Sequence, residues 1–207
     1  CFKHNPLNLK FIVKYQKVME SYKEIIEKYD YDWREISKHK YLSEDFIRAF
    51  SFKLIWYWIS VEQKLSESFM REFAHRLYWY NASYSQTLSE SIIREFADEV
   101  NWSSIFMHQK LSQAFIREFV DKLDCYGWKY ISRYQTLSES FIREFQDKIN
   151  WLCISGSQIL SESLMRSYAD KIYWEEITKH QKLSESFIID FSNKVDWYKL
   201  IKSIRHI

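Results

Sequence analysis

The hydrophobic positions of this chain follow a helical spacing that starts again every 23 residues. The stretch LSEDFIRAFSFKL, 42–54, places four apolar residues within an arc of about 100° at 3.6 residues per turn: Phe46, Ile47, Phe50 and Leu54. Ser43 is a favourable N-cap, and Leu42 and Ile47 occupy the two positions of a hydrophobic staple. The pattern predicts one short amphipathic helix, here called a B helix.

A second pattern begins at each tryptophan and predicts a helix of roughly two turns, here called an A helix. Counted from the tryptophan, offsets 0, 3, 4 and 7 share one face and hold Trp, mostly Ile, mostly Ser, and Gln. Residues of N-cap type precede four of these tryptophans: Asp32, Asn101, Asn150 and Asp196. Offsets 1, 2, 5 and 6 are expected to point away from the core. The inward glutamines are expected to bind loop backbone in the same or the next copy.

Both patterns recur along nearly the whole chain. The leucine that opens the B pattern occurs seven times, at Leu42, Leu65, Leu88, Leu111, Leu137, Leu160 and Leu183. The tryptophans keep the same step, at Trp33, Trp56, Trp79, Trp102, Trp128, Trp151, Trp174 and Trp197. Three extra residues in the DCYG segment, 124–127, lengthen one step to 26, and residues 16–33 form a degraded first copy. A single helix pair cannot bury its apolar face alone, so stacked copies must share one core.

The predicted fold is an all-α solenoid of about eight stacked 23-residue helix-turn-helix repeats. Residues 1–32 are predicted to be an N-terminal helical cap that contains the degraded first repeat. Residues 33–207 are predicted to be the tandem αα repeats of the same single solenoid domain. The chain has only two glycines and one proline. This composition favours helices, because β-sandwiches and β-barrels need glycine and proline in their turns. Whether the DCYG segment bends the stack or forms a contact is left open.

The phrases LSE-x-FI-R-x-F, D-K-V-N-W and x-x-I-S-x-x-Q resemble the tandem helical-repeat proteins encoded by giant DNA viruses of amoebae. The resemblance covers about residues 16–201. Three positions depart from it, because Lys40 replaces the glutamine, Tyr168 a phenylalanine and Ile189 the arginine. The resemblance implies a helical-repeat protein of uncharacterised function and transfers no functional residue. It also implies a viral protein in the host cytoplasm or the virion.

Composition and charge narrow the classes of partner. The chain has 30 lysines and arginines against 28 aspartates and glutamates, so no basic excess favours nucleic acid or an acidic membrane. No apolar run approaches the ~18 residues of a membrane span. The cysteines Cys1, Cys125 and Cys153 are odd in number and lack metal-like spacing. This cysteine usage favours a reducing, intracellular compartment.

Candidate catalytic and metal-binding residues do not form recognisable sets. His39, His108 and His180 share offset 6 of their A helices, but they belong to copies three steps apart and cannot share one metal. The chain has no G-x-S-x-G, glycine-rich phosphate loop or H-E-x-x-H motif. We therefore predict no enzyme, no cofactor and no metal site.

A row of arginines recurs in the B pattern, at Arg48, Arg71, Arg94, Arg117, Arg143 and Arg166. An aligned row of this kind can bind a phosphate chain or an acidic peptide. Five of the arginines follow a glutamate by four residues, for example Glu139 before Arg143, which is a favourable order for an ion pair on a helix. A ladder of ion pairs, solvated or between copies, is the preferred interpretation.

The residues that differ most between copies lie on the outer face of the A helices. Aromatic side chains are frequent there, at Tyr57, Trp58, Tyr80, Tyr84, Tyr130 and Tyr134. They are expected to form a patch over the middle copies, and two interpretations of it are kept. The first is that these side chains pack against loops or the B helix of the next copy. The second is that they bind a partner, since exposed aromatics are typical interface anchors.

The leading functional hypothesis is a non-catalytic protein–protein interaction scaffold with a protein partner of unknown identity. The first alternative is a structural protein that assembles with itself, which the apolar segment 197–207 favours. A nucleic-acid-binding repeat protein is ranked third.

Overall fold

The computed structural model of the protein describes residues 20, 22–39 and 41–204. Within these residues the secondary structure consists of α-helices and one 3-10 helix, with no strand. The chain divides into two compact units, Cys1–Asn101 and Trp102–Ile207. Each unit is described by itself below.

The first unit alternates A and B helices in the order that the sequence predicts. Its helices are α1 (Lys23–Lys28), α2 (Trp33–Ser37), α3 (Glu44–Ala49), α4 (Trp56–Glu62), α5 (Glu67–Glu72), α6 (Trp79–Ser85) and α7 (Glu90–Glu95). The A helices are α2, α4 and α6, and the B helices are α3, α5 and α7. Helix α4 contacts both α2 and α6, so the copies stack through their A helices.

The second unit repeats this arrangement. Its helices are α8 (Trp102–His108), α9 (Gln113–Glu118), the 3-10 helix Val120–Lys122, α10 (Cys125–Tyr134), α11 (Glu139–Glu144), α12 (Trp151–Ser157), α13 (Glu162–Ser167), α14 (Trp174–His180), α15 (Glu185–Asp190) and α16 (Trp197–Ile204). The A helices α8, α10, α12, α14 and α16 contact one another in chain order. The all-α, stacked helical-repeat architecture of a solenoid is therefore confirmed.

A serine side chain starts every B helix of both units. The hydroxyl oxygen accepts a hydrogen bond from the amide three residues later at Ser43, Ser66, Ser89, Ser112, Ser138, Ser161 and Ser184. In α3 the predicted apolar arc is buried, and Phe46, Ile47 and Phe50 have no exposed surface. The staple residue Leu42 is buried with them.

The inward face of the A helices is the one that the spacing predicts. The isoleucines at offset 3 are fully buried at Ile36, Ile59, Ile105, Ile131, Ile154 and Ile177. Each tryptophan that begins an A helix from α2 to α14 packs on an aromatic ring at the end of the B helix that follows it. The Trp56 ring, for example, lies 5.0 Å from Phe73 and 6.3 Å from Phe69. The core of each copy is therefore shared between its A helix and its B helix.

The described part of the predicted N-terminal cap is helix α1. Tyr22, which precedes it, packs edge-on against Phe46 of α3 with ring centroids 4.9 Å apart. Asp30 and Tyr31 then take left-handed backbone angles, with φ of 46° and 59°, and turn the chain into α2. Residues 1–19 and residue 21 of the predicted cap lie outside the described residues.

The DCYG segment lengthens an A helix at its beginning. Helix α10 starts at Cys125, one turn before Trp128, and the Asp124 carboxylate accepts a hydrogen bond from the Gly127 amide at 2.7 Å. A Cβ atom at Gly127 would lie 2.8 Å from the Leu123 Cδ2, so glycine allows this extra turn to pack closely on the preceding loop.

The prediction that offset 2 points away from the core is wrong at Cys153, which is buried. Neighbouring A helices are so close that offset 2 of one copy faces offset 5 of the copy before it. In the first unit the Lys38 Nζ lies 5.2 Å from the centre of the Trp58 ring. In the second unit a Cβ atom at Gly156 would lie 2.9 Å from the Glu176 Oε2. Offset 1 and parts of offsets 5 and 6 form most of the outer surface, whereas offset 2 is half-buried in most copies and exposed at Glu35.

Candidate partner-binding surface

Buried glutamines join consecutive A helices and hold the outer surface in place. In the first unit the Gln86 Oε1 accepts a hydrogen bond from the Leu65 amide at 3.2 Å, and its Nε2 donates to the carbonyl oxygens of Ser60 and Gln63 at 2.9 and 2.6 Å. Gln135, Gln158 and Gln181 bind in the same way. Gln63 also accepts from the Leu42 amide, but it donates to the His39 carbonyl oxygen. Each glutamine therefore binds backbone groups at the end of the preceding A helix. The prediction that the glutamines bind backbone of the same or the next copy is wrong.

A second row of hydrogen bonds uses the hydroxyl at offset 4. The Ser60 Oγ donates to the Trp56 carbonyl oxygen at 2.8 Å and accepts from the Tyr78 amide at 3.0 Å. The same two bonds recur at Ser37, Ser83, Ser132, Ser155 and Thr178. The hydroxyl thus connects its own helix to the start of the next A helix. Every fully buried side-chain nitrogen or oxygen atom in the described residues has a hydrogen-bond partner.

The arginines of the B helices pair mainly with the next copy. Arg48 and Arg71 in the first unit reach Glu72 and Glu95 at 2.8 and 2.6 Å. In the second unit the Arg117 guanidinium lies 2.7 Å from the Glu144 carboxylate. Compensation by carboxylates favours the predicted ladder between copies over an anion-binding row.

Ion pairs within one helix are fewer than the sequence predicts. The i, i+4 pairs form at Glu44–Arg48, Glu67–Arg71 and Glu90–Arg94. They do not form at Glu139–Arg143 or Glu162–Arg166. Glu139 and Glu162 accept the backbone amides of Ser161 and Ser184 at 3.0 and 2.7 Å. Glu44 makes the same contact with the Ser66 amide and keeps its pair with Arg48.

His39, His180 and the buried Cys153 lie next to other side chains of the helical stack. The described residues contain no group of three or more His, Cys, Asp or Glu side chains that could hold a metal ion. The His39 Nδ1 lies 2.8 Å from the Tyr29 hydroxyl, and the His180 Nε2 lies 3.3 Å from the Glu176 carboxylate. Burial raises the pKa of the Cys153 thiol, which disfavours the reactive thiolate.

The predicted aromatic surface is best formed in the first unit, where it comprises Tyr57, Trp58, Tyr80 and Tyr84. Tyr80 and Tyr84 are one turn apart on α6 and are 68% and 65% exposed. Tyr57 on α4 is 38% exposed, and its ring packs edge-on against Trp58 with centroids 4.9 Å apart. Trp58 is half-buried between Tyr57 and Lys38. The tyrosines therefore form the accessible part, and Trp58 supports them.

Sequence reasoning missed one member of this surface. Tyr78 is 51% exposed, and its ring lies 5.8 Å from that of Tyr57 in the preceding copy, in an edge-on arrangement. The sequence signal that could have identified it is its position directly before Trp79, where four other copies have an aspartate or asparagine. At this position the structure has no side-chain cap, since the Tyr78 ring extends the aromatic surface instead.

The second unit contains the other two predicted residues. Tyr134 is 51% exposed at the end of α10, whereas Tyr130 is half-buried and packs against the core of its unit. Their ring centroids are 6.4 Å apart. Tyr130 therefore follows the alternative expectation of packing within the stack, because offset 2 faces the neighbouring A helix.

Comparison of the chain with protein-family models, with curated proteins and with solved structures finds no match. Among the described residues, no helix combines the length and the apolar character needed to cross a membrane. The resemblance to repeat proteins of giant viruses stays a prediction.

Proposed function

We propose that this protein is a non-catalytic protein-binding scaffold, and that the aromatic surface of its first unit contacts the partner. The observation that carries the proposal is the exposure of Tyr80 and Tyr84 on a helix whose opposite face is fully packed. Tyrosine supplies a large apolar area with a hydroxyl group at low conformational cost, which suits interface anchors.

The surroundings of this surface support a rigid binding site. The A helices beneath it are joined by the glutamine and serine hydrogen bonds, for example Gln86 to the Gln63 carbonyl oxygen at 2.6 Å. A surface held by buried hydrogen bonds loses little conformational entropy when a partner binds. The repeats supply a constant frame, while the outer residues vary from copy to copy.

The test uses the double variant Tyr80→Ala/Tyr84→Ala and the control Tyr41→Ala. Tyr41 is 79% exposed in the loop before α3, outside the aromatic surface. Proteins captured from host-cell lysate by the wild-type chain are compared with those captured by each variant. We expect at least one protein to be retained by the control and lost with the double variant. That protein should then bind the purified wild-type chain at least about tenfold more tightly than the double variant, the loss expected from about 1.4 kcal/mol.

Two results would remove the aromatic surface from this function. One is a set of captured proteins that does not depend on Tyr80 and Tyr84. The other is a loss of binding that comes from unfolding. Such a loss disappears when equal amounts of folded wild type and folded double variant, measured by circular dichroism, are compared.

Self-assembly is the second candidate, and an exposed apolar residue on the B helix α15 favours it. Ile189 is 72% exposed at a position where the other B helices have an arginine. We expect an assembling chain to sediment with a mass that rises with concentration, and the variant Ile189→Arg, which restores the residue type of the other copies, to reduce that rise. A constant monomer mass for the wild-type chain would exclude this candidate.

A further inference from the structure

The ladder of arginines and acids on the B helices has one incomplete position. Within each unit, Arg48, Arg71, Arg117 and Arg166 contact the residue that directly follows the arginine position of the next copy. That residue is acidic at Glu72, Glu95, Glu118, Glu144 and Asp190, but it is a serine at Ser167. The arginine whose register corresponds to Ser167 is Arg143, 24 residues earlier, which is the same separation as Arg48–Glu72 and Arg166–Asp190.

Arg143 has no ion pair with any residue that the structure describes. Its i, i+4 neighbour Glu139 instead accepts the Ser161 amide at 3.0 Å, and Glu144 is bound by Arg117 at 2.7 Å. The Arg143 guanidinium lies over the Tyr168 ring, 5.7 Å from its centroid. The side chain therefore extends toward the next copy, as the paired arginines do, and ends beside residue 168.

The next arginine in the row shows what occupies this place when an acid is present. The Arg166 guanidinium lies 5.5 Å from the centre of the Phe191 ring, and it also contacts the Asp190 carboxylate at 2.8 Å. Phe191 and Asp190 correspond in register to Tyr168 and Ser167. A guanidinium that lies over the ring is thus within reach of an anionic group on the preceding residue.

Ser167 is exposed, and its hydroxyl donates a hydrogen bond to the Ser163 carbonyl oxygen at 2.9 Å. The neutral hydroxyl is shorter than an aspartate or glutamate side chain and brings no charge to Arg143. A phosphate on the same oxygen adds length, a charge of about −1.5 to −2 and three acceptor oxygens, and guanidinium groups bind such oxygens in pairs.

We propose that Ser167 is a phosphorylation site whose phosphate takes the place of the missing acid and pairs with Arg143. The co-reactant is ATP bound to a protein kinase. The Ser167 Oγ attacks the γ-phosphorus, so an O–P bond forms while the bond from that phosphorus to the β-phosphate oxygen breaks. The hydroxyl proton passes to a base of the kinase, and ADP leaves. The modification joins α11 to α13 by the contact that Arg117–Glu144 and Arg166–Asp190 already make between other copies of this unit.

The first experiment installs phosphoserine at position 167 during synthesis of the whole chain, with arginine or glutamine at position 143. We expect phosphorylation to raise the melting temperature by about 2 °C when Arg143 is present, a shift typical of a modest gain for a chain of this length. The shift should fall by at least half in the Arg143→Gln chain. An equal shift in both chains, or none in either, overturns the pairing.

The second experiment measures modification of the chain isolated from the cells that produce it, by mass spectrometry of the peptide containing residues 163 and 167. We expect phosphate on Ser167. Ser163 is the matched control because it is exposed one turn earlier in the same helix. A peptide that is unmodified, or modified only at Ser163, overturns the assignment of Ser167 as the site.

Discussion

The side-chain amide of Gln86 donates a hydrogen bond of 2.6 Å to the backbone carbonyl oxygen of Gln63, the residue at the same position one copy earlier. The relation recurs in the second unit, where Gln158 donates to Gln135 and Gln181 donates to Gln158 at 2.7 Å. Each A helix thus ends in polar groups that only the next copy satisfies. The repeat phrase therefore encodes the contact between copies as well as the helix itself.

The first prediction concerns this glutamine row. Gln158→Ala removes the acceptor of the Leu137 amide and the donor to the Ser132 and Gln135 carbonyl oxygens, all of which stay buried. We expect a loss of about 2–3 kcal/mol in the free energy of unfolding, because buried groups are left unsatisfied. Urea denaturation measures it, with the exposed Lys182→Ala as control. A change as small as that of the control would contradict the proposed role of the row.

The second prediction concerns the hydroxyl at offset 4. Ser132→Ala leaves the part-buried Asn150 amide without the acceptor that it has at 2.9 Å, and we expect a loss of about 1–2 kcal/mol. Ser132→Thr is the matched control, because Thr178 makes both bonds at the corresponding position. Thermal melts of the two variants test the difference. Equal losses would show that volume at this site matters more than the hydrogen bond.

The third prediction concerns Gly156 in the last turn of α12. An added Cβ would lie 2.9 Å from the Glu176 Oε2, which is the far end of a flexible side chain and can move. Because glycine inside a helix costs about 1 kcal/mol relative to alanine, we expect Gly156→Ala to stabilise the chain by roughly 0.5–1 kcal/mol. The gain should be larger in a Glu176→Ala background, measured by denaturant midpoints. Destabilisation in both backgrounds would mean that the backbone, and not Glu176, is crowded.

The fourth prediction concerns acid sensitivity. Hydrogen bonds from the backbone and side chain of Ser184 lower the pKa of Glu162 below its ordinary value. A carboxylate with a depressed folded-state pKa contributes stability above its unfolded pKa of about 4.3 and loses that stability as the pH falls through the lower folded value. We expect Glu162→Gln to reduce the dependence of the melting temperature on pH between about 5 and 3.

The matched control for this prediction is Glu185→Gln in the next copy. The Glu185 carboxylate has no hydrogen-bond donor among the described residues, although it occupies the same first-turn position as Glu162. An equal effect of the two variants on the pH dependence would show that the Ser184 hydrogen bonds are not its source.

The sequence predicts the helices well because their determinants are local. The spacing of Phe46, Ile47 and Phe50 and the serine before them define a buried face and a cap without any other copy. The aromatic surface is predicted less completely. Tyr80 and Tyr84 are exposed as expected, whereas Trp58 and Tyr130 are half-buried and Tyr78 was missed, because exposure at these positions depends on the preceding A helix.

By itself the sequence determined the repeat length, the two helices of each copy and the faces that they bury, since periodicity, capping and apolar spacing act within one helix. Only the tertiary structure decided which copy each glutamine binds, that the DCYG segment extends α10, that Cys153 is buried, and that Arg143 lacks an acid. These features depend on the distance and register between neighbouring helices. Residue type along one helix does not specify those quantities, because they arise where two packed surfaces meet.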